Sequence, residues 1–464
     1  MKPTIRMVLG LVAAFATLAA TGDQPFENPP ELKASDFLDA KLLKGPNHEV
    51  DEKVVSDGVF NTYTITSKFG IWKVQGTSLA ALRVHEIAAI AQLKEVDKIA
   101  VAAGGVAGGV VDIGKSVVSV VVHPVDTVSG VGDGIGRLFG RIGRGTSRAA
   151  EKMGSDDKTA AEVENLSNPA DAPKTSEQST AGKATEATGE LAKDLIGVNS
   201  AMRSWAKKLK VDPYTTNEVL HNELRDVAQY DAGGRFAVVL APGGAILTAL
   251  SSTAAVNDLI WMKEPDELVT LNEKRLTAMG VKPAVSRAFR LNRKYNLTGQ
   301  VRLIASLDTL SGVSGRPEFV ARAAGAKVSA DSQFYVQSAM LAELFHKTQA
   351  PLTSIVGNLP GACVTAGEGR FACLYPLDYV AWTEGVAGHI DRITKRAQTD
   401  FPKAKRELWL TGQASPRAVK ELEARGWTLR EKGLRLISEE AQPENEPQKS
   451  SEKPPAAEKV SSAK

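Results

Sequence analysis

Apolar and polar positions change their period several times along the chain, and each change marks an element. From Asn61 to Gln75 the period is two: Thr62, Thr64 and Thr66 alternate with Tyr63 and Ile65, and Ile71-Trp72-Lys73-Val74 follows Gly70. That alternation predicts a β-hairpin. Thr77 is placed to cap the next element, and Leu79, Leu82, Ile87, Ile90 and Leu93 share one arc of a helix to about Asp97. Residues 58–97 thus read as a hairpin plus helix, whose core is thin enough that it should pack on a larger body. The preceding residues 21–57 are polar and contain proline, and read as an extended lead-in.

A helical period returns near Glu190. One helix runs from Leu195 to Leu209 and carries Trp205; the next is capped by Asn217, buries Val219, Leu220, Leu224 and Val227, and stops at Gly233-Gly234. Phe236 to Asn257 holds no charge and is broken by Pro242-Gly243-Gly244, so it reads as a buried strand or helix and then a small-residue helix. Further helices are predicted at about 265–279, 283–293, 298–311, 317–324 and 329–347, with Gly280, Gly312 and Gly325 at their stops. Beyond Pro351 short strands appear: Ser354 to Val356, a hairpin closed at Gly367-Glu368-Gly369, and Leu374 to Trp382. A helix from about Glu384 to Ala397 follows. Glu407 to Thr411, a helix capped by Ser415-Pro416 with Val419 and Leu422 inward, and Trp427 to Leu429 make a small β-α-β unit. The expected fold is α+β and mostly helical, with a helical domain over 190–350, a mixed part over 351–437 and a polar, disordered tail over 438–464.

Residues 98–148 break both periods. If helical, Ile135, Leu138, Phe139 and Ile142 form one stripe and Arg137, Arg141, Arg144 and Arg148 the opposite one. Gly132, Gly136 and Gly140 fill a flank between them, and Gly104 and Gly108 repeat the same spacing upstream. An apolar face, an arginine face and a row of small residues suit a helix lying in a lipid interface, or packing closely on a partner helix or a second copy. The arginines would meet anionic head groups. The competing reading is a glycine-rich loop with solvated arginines. Ile99 to Val122 approaches the length of a membrane span but contains Asp112 and Lys115, so a buried or surface hairpin turning near Pro124 is preferred. Residues 149–189 have scarcely any large apolar side chain and read as a disordered linker.

The chain has 464 residues and a formal net charge of +3, too small for its length to suggest nucleic acid. Residues 1–20 read as a secretory signal: Lys2 and Arg6, an apolar run from Met7 to Ala20, and small residues allowing cleavage near Ala19 or Ala20. The expected location is the periplasm, with peripheral attachment to a membrane. The two cysteines, Cys363 and Cys373, flank the hairpin turn. In an oxidising compartment a bridge is expected there, the alternative being two buried thiols.

Three blocks carry a resemblance: Val211-Asp-Pro-Tyr-Thr-Thr-Asn217, Asn257-Asp-Leu-Ile-Trp261 and Asp378-Tyr-Val-Ala-Trp-Thr-Glu-Gly385. With these blocks the chain resembles exported proteins of Gram-negative bacteria whose function is uncharacterised. The resemblance implies an envelope location and no activity.

Signals for chemistry are weak. Gly109 to Ser116 matches the phosphate-loop spacing GxxxxGK[ST], but its variable positions are Val, Val, Asp and Ile, which favour regular structure over an open phosphate cradle. His48, His85, His123, His221, His346 and His389 form no metal-ligand spacing, and no cofactor is expected. Gly312-Val-Ser314-Gly only brushes the nucleophile-elbow pattern. His389 with Asp391, and His221 with Glu223, lie two apart on helices and cannot face each other. The expectation is therefore an envelope scaffold or binding module, leaning away from an enzyme. A periplasmic hydrolase with a site assembled from distant residues is the alternative, and a pore-forming or contact-delivered toxin the second.

Overall fold

The computed structural model describes residues 25–102, 122–123, 199–230 and 254–433. These are 54% helical and 20% strand, a mixed α+β fold. The predicted hairpin forms as β5 (Asn61–Ser67) and β6 (Gly70–Gln75), with Tyr63, Ile65, Trp72 and Val74 buried on its inner face. The lead-in, however, is not extended and free. It supplies β1 (Glu31–Lys33), a short helix α1 (Ala40–Leu43), β2 (Lys44–Gly45), β3 (His48–Val50) and β4 (Lys53–Ser56). β3 and β4 succeed one another along one edge of β5, with Val50 opposite Ile65 and Val55 opposite Thr62. Strands this short are stabilised by their neighbours rather than by their own alternation, so the local pattern does not reveal them.

The helix α2 spans Thr77–Ala102 and extends past the predicted end. A strand β7 (Val122–His123) then lies parallel to β6, so the chain crosses back to the sheet after α2. Among the described residues no helix is long and apolar enough to cross a membrane.

Two further helices complete a bundle with α2: α3 (residues 199–209) and α4 (Glu218–Tyr230). Their shared core holds Ala89, Ile90, Leu93 and Val96 from α2, Met202, Trp205, Ala206 and Leu209 from α3, and Leu220, Leu224 and Val227 from α4. The polar contacts give directions. Asn217 Nδ2 donates to Glu86 at 3.1 Å, and Lys94 meets Glu223 at 2.5 Å, so α2 and α4 run parallel. His85 Nε2 lies 3.3 Å from the carbonyl of Leu209, so α3 ends where this part of α2 begins and runs back against it. The predicted cap at Asn217 is present, with Leu220 N donating to Oδ1 at 3.5 Å.

The helix α5 (Ala254–Met262) runs past the Asn257 end of the uncharged stretch, and α6 (Pro265–Ala278), α7 (Pro283–Leu291), α8 (Leu297–Thr309), α9 (Arg316–Ala324) and α10 (Ser329–Thr348) follow the predicted boundaries closely. A five-stranded sheet comes next: β8 (Leu352–Ile355), β9 (Ala362–Ala366), β10 (Arg370–Tyr375), β12 (Lys405–Leu410) and β14 (Trp427–Arg430), in the order β14-β12-β10-β9-β8. The pair β11 (Tyr379–Val380) and β13 (Gln413–Ala414) stands apart from it. The first three strands are antiparallel. β10, β12 and β14 are parallel, connected through α11 (Glu384–Asp400) and α12 (Pro416–Ala424). The small β-α-β unit forms as expected, with Ser415 Oγ accepting from Ala418 N at 3.0 Å and Pro416 in the first turn. One core runs continuously from Leu276 to Trp427 and takes in Val59. The boundary expected near 350 therefore does not divide the packing: helices and sheet bury their faces against each other.

Candidate functional site

The three blocks that carry the resemblance meet as internal polar pins. From the first, Asp212 accepts from Tyr214 N at 2.8 Å, Asn296 Nδ2 at 3.0 Å and Thr298 Oγ1 at 2.5 Å. Its neighbours Thr215 and Asn217 both donate to the buried carboxylate of Glu86, which also pairs with Arg83. From the second, Trp261 Nε1 donates to the Val211 carbonyl at 2.9 Å, and Asn257 Oδ1 lies 3.4 Å from Arg302. From the third, Asp378 accepts from the backbone of Asn61 and of Thr77, at 2.9 and 3.0 Å. Thr77 is thus not a cap. It is the first helical residue of α2, and the carboxylate that holds its N–H comes from the other end of the chain. Gly412 lets this corner close, since a Cβ there would collide with the Asp378 carbonyl. Glu27 makes a second long-range clamp, with Oε2 accepting from Trp382 N at 2.6 Å and from Ser415 Oγ at 2.5 Å.

The clearest chemical constellation is on β9 and β10. Cys363 and Cys373 are directly opposed in register, and their Sγ atoms are 2.7 Å apart. Both are fully buried. Strand alternation puts Phe371, Cys373 and Tyr375 on one face. Against that face lies α11, stacking Phe401 just beyond its end on Phe371, with Thr394 Oγ1 accepting from Trp427 Nε1 at 2.7 Å. α11 also places His389 Nε2 2.9 Å from the Tyr375 hydroxyl, which is in turn 3.3 Å from Cys363 Sγ. A thiol pair, a phenol and an imidazole therefore form one buried chain. Burial pushes the Cys373 thiol and the Tyr375 phenol well above their usual range, each reinforced by the neighbouring thiol. Burial, aided by Arg392, lowers His389 to about 3. The imidazole of His389 is therefore neutral at ordinary pH and, buried and held by the Tyr375 hydroxyl, is a poor general base. The guanidinium of Arg322 lies close by, with Nη2 donating to the Gly361 carbonyl at 3.4 Å. Burial lowers its pKa, against the pull of Tyr335 and Cys363.

The loop from Gly357 to Gly361 borders this chain. Cys363 Sγ lies 3.7 Å from the Pro360 carbonyl, and Asn358 and Gly361 both have left-handed backbones, with φ of 62° and 60°. A Cβ at Gly361 would collide with the Phe334 ring.

The sequence singled out the two cysteines, and the structure brings them together. Tyr375 was legible in principle, two residues from Cys373 on a strand; nothing in the sequence links His389 to either. Asp391 pairs instead with Arg425 at 2.7 Å, and Glu223 with Lys94. Ser314 bridges to Ser354 and is no nucleophile elbow. Among the described residues no group of three or more His, Cys, Asp or Glu side chains could hold a metal ion. The expected lipid-facing and packing residues Gly104, Gly108, Gly132, Ile135, Gly136, Arg137, Leu138, Phe139, Gly140, Arg141, Ile142, Arg144 and Arg148 lie outside the described residues, as do the phosphate-loop spacing, the leader, the linker and the tail.

What the described residues do fix is where these stretches leave the body. Beyond the Lys94–Glu223 contact, α2 and α4 each continue for roughly two turns in the same direction. Ala102, Tyr230 and residue 199, the first described residue of α3, therefore lie towards one end of the three-helix bundle.

No protein-family model, curated protein or solved structure matches the chain.

Proposed function

We propose that this is an exported envelope protein whose folded body is a scaffold or binding module, held at an anionic membrane surface by the glycine- and arginine-rich segment. The observation that carries this reading is the pattern of residues 132–148, an apolar stripe of Ile135, Leu138, Phe139 and Ile142 opposite Arg137, Arg141, Arg144 and Arg148. β7 refines the choice of segment. Val122 and His123 belong to the sheet, so the stretch proposed to meet lipid is the amphipathic half that follows them, from Pro124 to Arg148. Internal pins such as Glu86 and Asp378 suit a rigid holder.

The test is cosedimentation with phosphatidylglycerol vesicles at low salt. Three proteins are compared: the full mature chain, one lacking residues 124–148, and one in which Arg137, Arg141, Arg144 and Arg148 are all changed to Gln. Each arginine near the surface contributes about 1 kcal/mol, so the four together should shift binding by roughly a thousandfold. The full chain should pellet and be released by salt, the other two should stay in the supernatant, and phosphatidylcholine vesicles should bind none of them. If the full chain stays in the supernatant with anionic vesicles, the reading is abandoned.

A further inference from the structure

We propose that Cys363 and Cys373 are an oxidisable dithiol that closes into a disulfide across β9 and β10, taking its oxidising equivalents from a protein or small-molecule disulfide by exchange at Cys363. Directly opposed residues of an antiparallel pair have Cα atoms about 4.5–5.5 Å apart, inside the range a disulfide accepts. The two sulfurs already touch at 2.7 Å, so closure requires neither a change of register nor a movement of the sheet. The surroundings favour a specific pair over two incidental hydrophobic residues. Tyr375 holds Cys363 from one side while itself bonded to His389, and the Arg322 guanidinium is anchored on the Gly361 carbonyl, two residues before Cys363.

Cys363 is the entry point because of its position. Both cysteines lie in strands flanked on two sides, but Cys363 is the second residue of β9, two positions after the Gly357–Gly361 loop with its left-handed Asn358 and Gly361, whereas Cys373 is in the middle of β10. The Cys363 thiolate attacks the oxidant R–S–S–R. A mixed Cys363–S–S–R bond forms, the S–S bond of the oxidant breaks, and the departing RS⁻ takes up the proton that Cys363 gave up. The Cys373 thiolate then attacks the Cys363 sulfur, releasing the second RS⁻, which takes the Cys373 proton. Two electrons pass to the oxidant, which leaves as two thiols. The exported location matters only for where such an oxidant is met, and the chemistry is testable without it.

The purified mature chain is equilibrated in buffers of graded oxidised and reduced glutathione, quenched in acid, unfolded, alkylated with iodoacetamide and weighed intact. Arg370 lies between the cysteines, so trypsin separates them onto two peptides that remain joined only if bridged. The expected result is loss of both alkyl adducts as the oxidised fraction rises, with the two tryptic peptides recovered as one bridged species from monomeric protein. Two adducts at every ratio, or glutathione on each cysteine separately, would overturn the proposal. The entry point is tested by single variants: Cys373→Ser should capture glutathione at Cys363 on the order of tenfold faster than Cys363→Ser captures it at Cys373. Equal rates would overturn that assignment, and if either variant fails to fold, the bridged-peptide map of the unaltered chain still decides the pairing. Failure here would leave vesicle binding untouched, and failure of vesicle binding would leave this redox behaviour unchanged.

Discussion

The carboxylate of Asp378 accepts the backbone N–H of Asn61, 317 positions earlier in the chain, at 2.9 Å. Its other oxygen takes the N–H of Thr77, so one side chain closes both the first residue of β5 and the first of α2. Changing Asp378 to Ala strands two backbone donors, each costing about 1–3 kcal/mol when left without a partner. Urea unfolding of Asp378→Ala should show a loss of about 2–4 kcal/mol with little change in slope. An unchanged midpoint would mean that water replaces the carboxylate there.

The same residue makes stability depend on pH in an unusual direction. Burial raises its pKa from 3.8 to about 6, while its backbone donors pull the other way. Between those values the folded chain keeps a proton that the unfolded chain has released. Its contribution is therefore fully present below pH 4 and is lost as pH rises to 6, by up to about 3 kcal/mol. In Asp378→Asn this component should vanish, so the difference between variant and parent, measured by urea unfolding from pH 4 to 7, should slope across that window and be flat above it.

His389 acts in the opposite sense. Its folded pKa of about 3 lies below the ordinary 6.5, so its contribution is present above pH 6.5 and is lost as pH falls towards 3. The swing is on the order of 5 kcal/mol. The two effects oppose each other between pH 4 and 6, and His389 dominates below. Acid unfolding near pH 4 should follow from it, and His389→Gln should move that transition to lower pH relative to its own neutral-pH stability.

The cysteine pair gives a prediction in denaturant. A bridge closing the short Cys363–Cys373 loop contributes roughly 3 kcal/mol through the unfolded state. The oxidised chain should therefore unfold at higher urea than the reduced one, with the difference absent in Cys363→Ser. Equal midpoints would mean that the native strands are strained by closure.

Much of the fold is legible in the sequence, and the reasons are local. Asn217 and Ser415 cap the helices they were expected to cap, and Gly280 and Gly312 terminate helices with φ of 80° and 81°. The helices from Pro265 to Thr348 carry their own periodicity. What the sequence conceals depends on partners far along the chain. Val54 is fully buried in a four-residue strand with no visible alternation. Thr77 looks like a cap because Asp378 is three hundred residues away. Only the Cys363–Cys373 half of the buried chain announces itself. Tyr375 joins it through strand geometry, and His389 through the packing of α11 on the sheet, which no local pattern encodes.

The long-range pins have a consequence for the integrity of the particle. Glu27 with Trp382 and Ser415, Asp378 with Asn61 and Thr77, Glu86 with Thr215 and Asn217, and Lys94 with Glu223 all join residues before 103 to residues after 198. The peptide connection through 124–198 is therefore mechanically redundant. A protease cutting within it would produce two polypeptides on a denaturing gel and still one particle in native chromatography. Co-expressed halves divided between residues 123 and 199 should find each other and assemble, as the two parts of a split protein do.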